Sequence, residues 1–391
     1  DVYKRQSQIS LNLILIMENQ LTIANQPQFH RLKIAKKRQL TKNAFALELA
    51  IPEDLKSNYK FQAGQYVTLK YHFNEKEIQN DYSFTSAPFE NKIELVIKIN
   101  GDESSTNFLF KNYQIGDEIS VSEPLGRFFI PSRPNEKRTI LAFASGIGIT
   151  PIFSHIKNIL HEEQFTRIFL FYGNKSYEDI VLKQELEDLQ KENVGRFEVF
   201  YFLSQEKVKD QLFQGRLDEK KISLIINQIL HLDEDDEEST IWDSTDKVLI
   251  CGPGEMIKSV ANACYNHGIP KKNIHFELFE AFNDDIYPTE KEFPLIENVN
   301  VKIKFNHIEK DGIVLKNNER KILQQLLDLG YKLPYSCKSG ICGSCLCYLK
   351  NGEVDMTEDE YLTENEKSQG KILPCVSIAM SKDVSLDFDL Y

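Results

Sequence analysis

The residues best equipped for chemistry in this 391-residue chain crowd toward its C-terminal end. They read Cys337-Lys-Ser-Gly-Ile-Cys342-Gly-Ser-Cys345-Leu-Cys347, with Cys375 following. Four of them fit the C-x4-C-x2-C…C spacing that holds a [2Fe–2S] cluster. Cys337, Cys342 and Cys345 would come from one loop, and Cys375, with 29 residues between it and Cys345, would complete the set. Two irons need four thiolates, and one compact loop can deliver three. Gly340 and Gly343 suit such a loop, because a backbone that wraps closely needs positions without a Cβ. N–H groups between the cysteines can then point at sulfur and tune the potential. Cys347 is the spare: it points away if the chain has entered a strand by then. Zinc and inert buried thiols are the rival readings. Zinc sites usually show paired CxxC or CxxC…HxxxH spacing, whereas here there is one CxxC pair and the nearest histidine, His307, lies well upstream.

Composition bounds the rest. The chain is 41% hydrophobic and 27% charged, ordinary for a soluble globular protein, and long enough for two or three domains. Its net charge of −12 argues against nucleic acid as the main partner. Seven cysteines without a secretory signal point to a reducing cytoplasm, where cysteines are ligands more often than disulfides. The acidic run Asp233–Glu238 reads as a solvated insertion. The apolar run Leu13–Ile16 is too short to span a bilayer, so no membrane span is expected. Asp1–Gln6 reads like a translated transposon sequencing adapter. Residues 1–16 are therefore expected to be non-native, with Met17 as the start, and 1–27 to form a disordered or non-native leader.

Strand texture fills residues 28–133. Apolar and polar residues alternate through Leu32, Ile34, Phe45, Leu47 and Leu49 until Pro52, and again over Gln65–Tyr71. Short strands with turn signals run on to Pro131, which predicts a small antiparallel barrel. Inside it lies Asn80-Asp-Tyr82-Ser83-Phe84-Thr85-Ser86-Ala-Pro88. An aromatic face can cover a planar ring, and a hydroxyl can donate or accept. A Tyr-Ser pair by itself reads more readily as a core tyrosine in a barrel. A polar turn is expected over Gly101–Asn107, and Glu123-Pro124-Leu-Gly126-Arg127-Phe128 closes the domain.

At Arg138 the texture changes, and residues 137–281 read as a second domain. Thr139–Ala144 is continuously apolar, as a buried parallel strand should be. Ser145-Gly146-Ile-Gly148-Ile-Thr150-Pro151 follows, then a helical pattern through Ile152, Ile156, Ile159 and Leu160. A strand, a glycine turn and a helix present N–H groups to phosphate, and Pro151 fits a first helical turn. Further strands are expected over Arg167–Tyr172, Phe197–Leu203 and Lys247–Cys251, with a helix over Ile180–Gln190. This alternation gives a parallel α/β sheet, whose ligands bind at the strands' carboxyl ends. Cys251-Gly252-Pro253 ends one such strand, and a buried inert thiol is one reading of Cys251. His275–Ala281 ends the domain. Residues 282–298 read as a linker. Residues 299–391 open on the alternating strand Val299–Phe305, continue with a helix over Arg320–Gly330, and then reach the cysteine loop. Asn351–Glu366, with seven acids and no base, is a solvated loop or a dock for a basic partner.

Taken together, these stretches resemble the ferredoxin–NADP reductase-type oxygenase reductases that carry a C-terminal ferredoxin domain. The resemblance spans about 28–391. It rests on Tyr82-Ser83, Gly146-Ile-Gly148 to Pro151, Cys251-Gly252-Pro253, and the segment from Leu333-Pro-Tyr-Ser-Cys337 to Asn351-Gly-Glu-Val-Asp-Met356. It implies a flavin-binding antiparallel β-barrel, a parallel-sheet α/β domain for pyridine nucleotide, and a β-grasp ferredoxin domain. It implies that Tyr82 stacks on the flavin ring, that Ser83 bonds near the flavin atom that accepts hydride, and that Cys251, Gly252 and Pro253 lie beside the nicotinamide. The family's phosphate-binding arginine is Asn80 here, so Lys98 and the hydroxyls of Ser105 and Thr106 are expected to compensate. Pro124-Leu-Gly126-Arg127-Phe128 resembles the FAD-using members, so FAD is expected over FMN. Gly146, Gly148, Thr150 and Pro151 would hold the nucleotide's phosphates. Ser204 and Arg216, with Lys207 and Lys209 nearby, favour NADPH over NADH. Phe279 would lie across the flavin from Tyr82, and Cys337, Cys342, Cys345 and Cys375 would bind the cluster. The implied activity is electron transfer from NAD(P)H through FAD and the [2Fe–2S] cluster to an oxygenase component, of the phenylacetyl-CoA epoxidase type. Other oxygenases, hydroxylases or desaturases are alternative acceptors, and a flavin-free iron–sulfur carrier is the alternative from another class.

Overall fold

A computed structural model describes residues 28–230, 241–280, 282, 284, 286–287, 295–317, 320–335, 338, 340, 343–357 and 362–389. The leader, the acidic run Asp233–Glu238, most of the expected linker, and Cys337 and Cys342 lie outside the described residues. The chain forms two compact units, one of residues 29–288 and one holding 289–391.

The first unit opens with β1 (Phe29–Thr41), β2 (Ala44–Ala50), β3 (Tyr66–Phe73), β4 (Lys76–Ser83), β5 (Ile93–Lys98) and β6 (Glu118–Ser122). They form one antiparallel sheet in the order β4-β3-β6-β1-β2-β5. Its two edges meet just past β4, where Phe84 bridges Leu95 and the Thr85 N–H donates to the Glu94 carbonyl at 2.8 Å. The alternating residues read from sequence, Leu32, Ile34, Phe45, Leu47 and Leu49, all lie in the core so enclosed. The expected polar turn is a turn only as far as Ser104. From Ser105 the chain is helix, α1 (Ser105–Asn112), because the Ser104 hydroxyl accepts the Asn107 N–H and starts it. The last barrel strand ends at Ser122, short of the expected Pro131, and the chain onward lies against Tyr66.

The second layer contains β7 (Thr139–Ser145), α2 (Ile149–Glu162), β8 (Arg167–Asn174), α3 (Lys183–Glu192), β9 (Phe197–Leu203), α4 (Glu219–Ile225), β10 (Thr245–Cys251), α5 (Gly254–Asn266) and β11 (Ile274–Glu277). The sheet is parallel, in the order β11-β10-β7-β8-β9. Its direction of winding reverses between β7 and β10, which makes that gap the switch point where open α/β sheets bind ligands. α3 starts three residues later than expected. Tyr177–Asp179 forms a separate helical turn, and Leu182 adopts a left-handed φ of 60° just before Lys183.

Beneath the switch point, at the strands' amino ends, sits a buried charge network. Arg138 donates through Nε (2.9 Å) and Nη2 (2.5 Å) to the two carboxylate oxygens of Glu163, and through Nη1 to Asp246 at 3.1 Å. The Thr166 hydroxyl and the Arg133 N–H also donate to Glu163. Glu163 has a side-chain exposure of 0% and Arg138 of 3%. The network joins the start of β7, the end of α2 and the start of β10.

The second unit contains β12 (Glu297–Phe305), β13 (Ile308–Asn317), α6 (Ile322–Asp328), β14 (Cys347–Asn351), β15 (Val354–Met356), α7 (Glu364–Ser368), β16 (Lys371–Ile372), β17 (Ser377–Ala379) and β18 (Asp383–Asp387). A mixed five-stranded sheet runs β13-β12-β18-β14-β16, and β15 pairs with β17 apart from it. Leu323 and Leu326 of α6 pack into the same core as Val299, Val301 and Leu386. This is the ferredoxin-like domain expected. The acidic stretch 351–366 is not all loop, since β15 and the first turn of α7 take up part of it. Among the described residues no helix is long and apolar enough to cross a membrane.

Replacing Glu163 with Gln would leave the buried Arg138 charge with only the Asp246 carboxylate beside it. It should cost about 3–5 kcal/mol in a urea melt at pH 7. Burial alone would raise the Glu163 carboxyl, but its donors outweigh burial and hold it below the usual carboxylate range. A carboxyl depressed in the native state contributes its stability above its unfolded value and loses it as pH falls through the native one. The gap between wild type and variant should therefore be full above about pH 4.5 and close below it.

Candidate functional site

Two glycine turns meet at the switch point. One follows β7 and carries Gly146, with φ of 54°, and Gly148. The other follows β10 and carries Gly252. A Cβ on Gly148 would lie 2.3 Å from the Cys251 carbonyl oxygen and 2.9 Å from the Gly252 nitrogen. The turns thus touch backbone to backbone, and only glycine fits at 148. The Tyr172 hydroxyl fixes the first turn by donating to the Gly146 carbonyl at 2.9 Å. Thr150 and Pro151 stand in the first turn of α2, both buried. The Thr150 hydroxyl is already committed to the Ile147 carbonyl at 3.1 Å, so what this turn can offer an anion is N–H groups. Pro253 leads into α5 from an extended conformation.

Cys251 is fully buried at the end of β10. Burial, aided by the Glu277 carboxylate, pushes its thiol well above the ordinary value. It stays protonated, which suits a shape-filling residue and not a nucleophile.

The barrel meets this place at the end of β4. Ser83 is buried, and its hydroxyl lies 3.4 Å from Oε2 of Glu277, the last residue of β11. Glu277 lies in the stretch His275–Ala281, where sequence reading gave a role to Phe279 and none to the acid two residues before it. Strand alternation in His275-Phe-Glu277 does put an acid on one face, yet nothing local says that Ser83 faces it. Beside Ser83, the Tyr82 ring is half-buried and its hydroxyl is pushed up, chiefly by burial and then by Tyr71. The Asn80 amide donates weakly to that hydroxyl at 3.4 Å. Gly126, with φ of 95°, allows its segment to lie on Tyr66: a Cβ there would meet the ring at 2.8 Å. The Gln65 amide donates to the Gly126 carbonyl at 3.0 Å.

Other expected residues scatter in character. Thr106 is buried, and its hydroxyl accepts from the Asn100 N–H at 3.2 Å and bonds with Ser104 at 3.1 Å. It is an internal brace of α1, whereas Ser105 is half-buried at the helix start. Lys98 is exposed at the end of β5, and Phe279, just past β11, is 43% exposed. The Ser204 hydroxyl donates to the Asn174 carbonyl at 3.2 Å. Arg216 is exposed beside it, because the Gly215 N–H is tied to the Leu203 carbonyl at 2.9 Å.

The segment that follows Ser83 is fastened to α2. The Ser154 hydroxyl donates to the Ser86 carbonyl at 2.6 Å, Lys157 pairs with Glu90, and Phe89 stacks on His161 with centroids 3.9 Å apart. The flavin-type motif and the helix after the first glycine turn are therefore held in one frame.

In the second unit, Cys345 and Cys375 are 2% and 5% exposed and belong to the same core. Lys338, Gly340 and Gly343 all have left-handed φ values, of 56°, 77° and 66°. Cys347 opens β14, fully buried in the core; burial, then Cys345, pushes its thiol up.

Comparison with known proteins assigns these regions. An oxidoreductase FAD-binding domain model matches residues 31–130, an oxidoreductase NAD-binding domain model matches 143–262, and a 2Fe-2S iron–sulfur cluster binding domain model matches 306–380. A component of the 1,2-phenylacetyl-CoA epoxidase of Escherichia coli K12 is 28% identical over 362 residues, covering 92% of this chain and 98% of that protein. The ferredoxin reductase component of the 3-ketosteroid-9-alpha-monooxygenase of Rhodococcus rhodochrous is 24% identical, covering 89% and 93%. The fold is shared with an intact type IV self-sufficient cytochrome P450 monooxygenase (TM-score 0.59, 18% identity), covering 92% of this chain and 41% of that one. It is shared too with a ferredoxin NADP+ reductase from Neisseria gonorrhoeae (TM-score 0.53, 21% identity), covering 65% of this chain and 100% of that one.

The residues present fit these groups. The buried Cys345 and Cys375 suit two of a cluster's thiolates, a half-buried tyrosine beside a buried serine suits a flavin, and abutting glycine turns suit a nucleotide. Gly148→Ala should push the two turns apart at a cost of about 1–3 kcal/mol. Titration with NADP+, followed through the flavin spectrum, should show affinity at least tenfold weaker, while iron content stays unchanged.

Proposed function

As an oxidoreductase built of FAD-binding, NAD-binding and 2Fe-2S domains in that order, this chain is, we propose, the reductase that passes electrons from NAD(P)H to an oxygenase component of the phenylacetyl-CoA epoxidase type. The observation that carries the reading is the meeting of Ser83 with Glu277 at the carboxyl end of β11, in register with Cys251. It joins a flavin-type motif to a nucleotide-type turn within one compact unit. Similarity over nearly the full length of the epoxidase component supports the choice of acceptor. The steroid monooxygenase relative keeps a second reading in view, a different oxygenase, hydroxylase or desaturase.

Bound flavin supplies the exchange between a hydride pair and single electrons, and the cluster supplies one-electron transfer. The chain's own part is placement. Tyr82 and Phe279 offer aromatic faces for the ring. Ser83 and Glu277 form a short polar path by which a proton at the Ser83 hydroxyl can be exchanged. Cys251, kept neutral, fills space without adding charge. Gly146, Gly148, Pro151, Gly252 and Pro253 line the nucleotide's course; with the Ser204 hydroxyl given to the Asn174 carbonyl, the exposed Arg216 is what suits a 2′-phosphate, favouring NADPH. The start of α1 at Ser105, with Lys98, would meet the flavin's phosphates, and Asn80 leaves them one charge short. Cys337, Cys342, Cys345 and Cys375 would be the cluster ligands. The domains are taken as 28–133, 137–281 and 299–391, with a linker over 282–298. A thiolate ligand set needs a reducing compartment, hence the cytoplasm.

Anaerobic titration with NADPH should bleach flavin and cluster absorption in turn, with NADH less effective. Colourless, iron-free protein from oxygen-free purification would overturn the reading. Asn80→Arg should tighten flavin binding about tenfold or more, since a charge-assisted hydrogen bond contributes about 1.5–3 kcal/mol. An unchanged dissociation constant would mean that the phosphates are neutralised elsewhere.

A further inference from the structure

Asn174, the last residue of β8, has no part in the reading above. It is 7% exposed, and neither Oδ1 nor Nδ2 of its side chain has a hydrogen-bond partner. Buried amides are nearly always paired, because leaving one unsatisfied forfeits its hydration. Its backbone is firmly set: the Asn174 carbonyl accepts both the N–H of Ser204 at 3.0 Å and the Ser204 hydroxyl at 3.2 Å. Two residues earlier and on the same face of the strand, the Tyr172 hydroxyl is taken up by the carbonyls of Gly146 at 2.9 Å and Val181 at 3.4 Å. The Asn174 amide lies near enough to that hydroxyl to offset a little of the burial that pushes it up, without the geometry of a hydrogen bond. The carboxamide thus stands one strand step nearer the carboxyl edge than the clamp on the glycine turn, on a backbone tied to Ser204.

A dinucleotide laid across the carboxyl ends of this sheet from β10 toward β9 must pass over β8. Its nicotinamide end belongs by Cys251 and Ser83, so the half that crosses β8 is the adenosine half. A ribose hydroxyl both donates and accepts, and a carboxamide can do the same. We propose that Asn174 binds the adenosine ribose of NAD(P)H through its unpaired side-chain amide. The 3′-hydroxyl, present in NADPH and NADH alike, is the group it fits, so Asn174 contributes affinity without choosing between the two. The inference rests on the reductase reading.

The test uses calorimetric titration of the flavin- and cluster-loaded protein with NADP+, NAD+, ADP-ribose and nicotinamide mononucleotide. In Asn174→Leu the dissociation constants for NADP+, NAD+ and ADP-ribose should rise five- to tenfold by a common factor. Nicotinamide mononucleotide should be unaffected. The melting temperature without nucleotide should not fall, because the amide has no hydrogen bond in the chain to lose. Asn174→Asp, of the same shape, should weaken the same three ligands if the leucine variant does not fold. Unchanged affinities, a loss confined to nicotinamide mononucleotide, or a lower melting temperature with affinities intact would each overturn the proposal. Wild-type protein that binds none of the four would instead overturn the reductase reading beneath it.

Discussion

Contact between two stretches of bare backbone, Gly148 against the Cys251 carbonyl, is the constraint on which the first unit depends. Strand order alone opens a gap between β7 and β10; the absence of a Cβ at 148 lets their exits close to van der Waals distance. Once they touch, Cys251 of the second turn stands in register with Glu277 at the end of β11, bordering one small volume. Ser83 reaches that volume from a different sheet. Its hydroxyl meets Glu277 there, one of the contacts that join the barrel to the parallel sheet.

Two other sets of contacts keep that volume from drifting. At the far end of the strands, Arg138, Glu163 and Asp246 tie the starts of β7 and β10 through a buried bidentate pair. On the barrel side, Ser86, Phe89 and Glu90 are fastened to α2 by a hydrogen bond, a ring stack and an ion pair. Both arrangements end on α2, the helix that starts just past Gly148. A single helix therefore takes its bearings from both sheets, and the buried charges that would be expensive alone are fully hydrogen-bonded where they stand.

Much of this was legible in the residues. Alternation gave the barrel strands, continuous apolar runs gave β7 to β10, and the cysteine spacing pointed to the cluster, because each of these is a local pattern with its own period. What stayed hidden was long-range. Ser83 and Glu277 are far apart in sequence, and only folding makes them neighbours. Thr106 looked available for phosphate, yet its hydroxyl is spent on Asn100, a choice set by the helix that Ser104 starts. Thr150 is spent in the same way on Ile147. Hydroxyl residues near glycine turns carry the same composition whether they serve a ligand or brace the turn, and the sequence does not separate the two. Likewise, an asparagine at a strand end reads as turn punctuation until its unpaired amide is seen.

The suppressed acidity of Cys251 has a consequence for durability. Proteins that handle reducing equivalents in air are exposed to hydrogen peroxide, and peroxide attacks thiolates far faster than thiols. A cysteine held protonated by burial and by a neighbouring carboxylate is a poor target for that attack. The position thus keeps a compact, uncharged sulfur beside the contact between the two glycine turns.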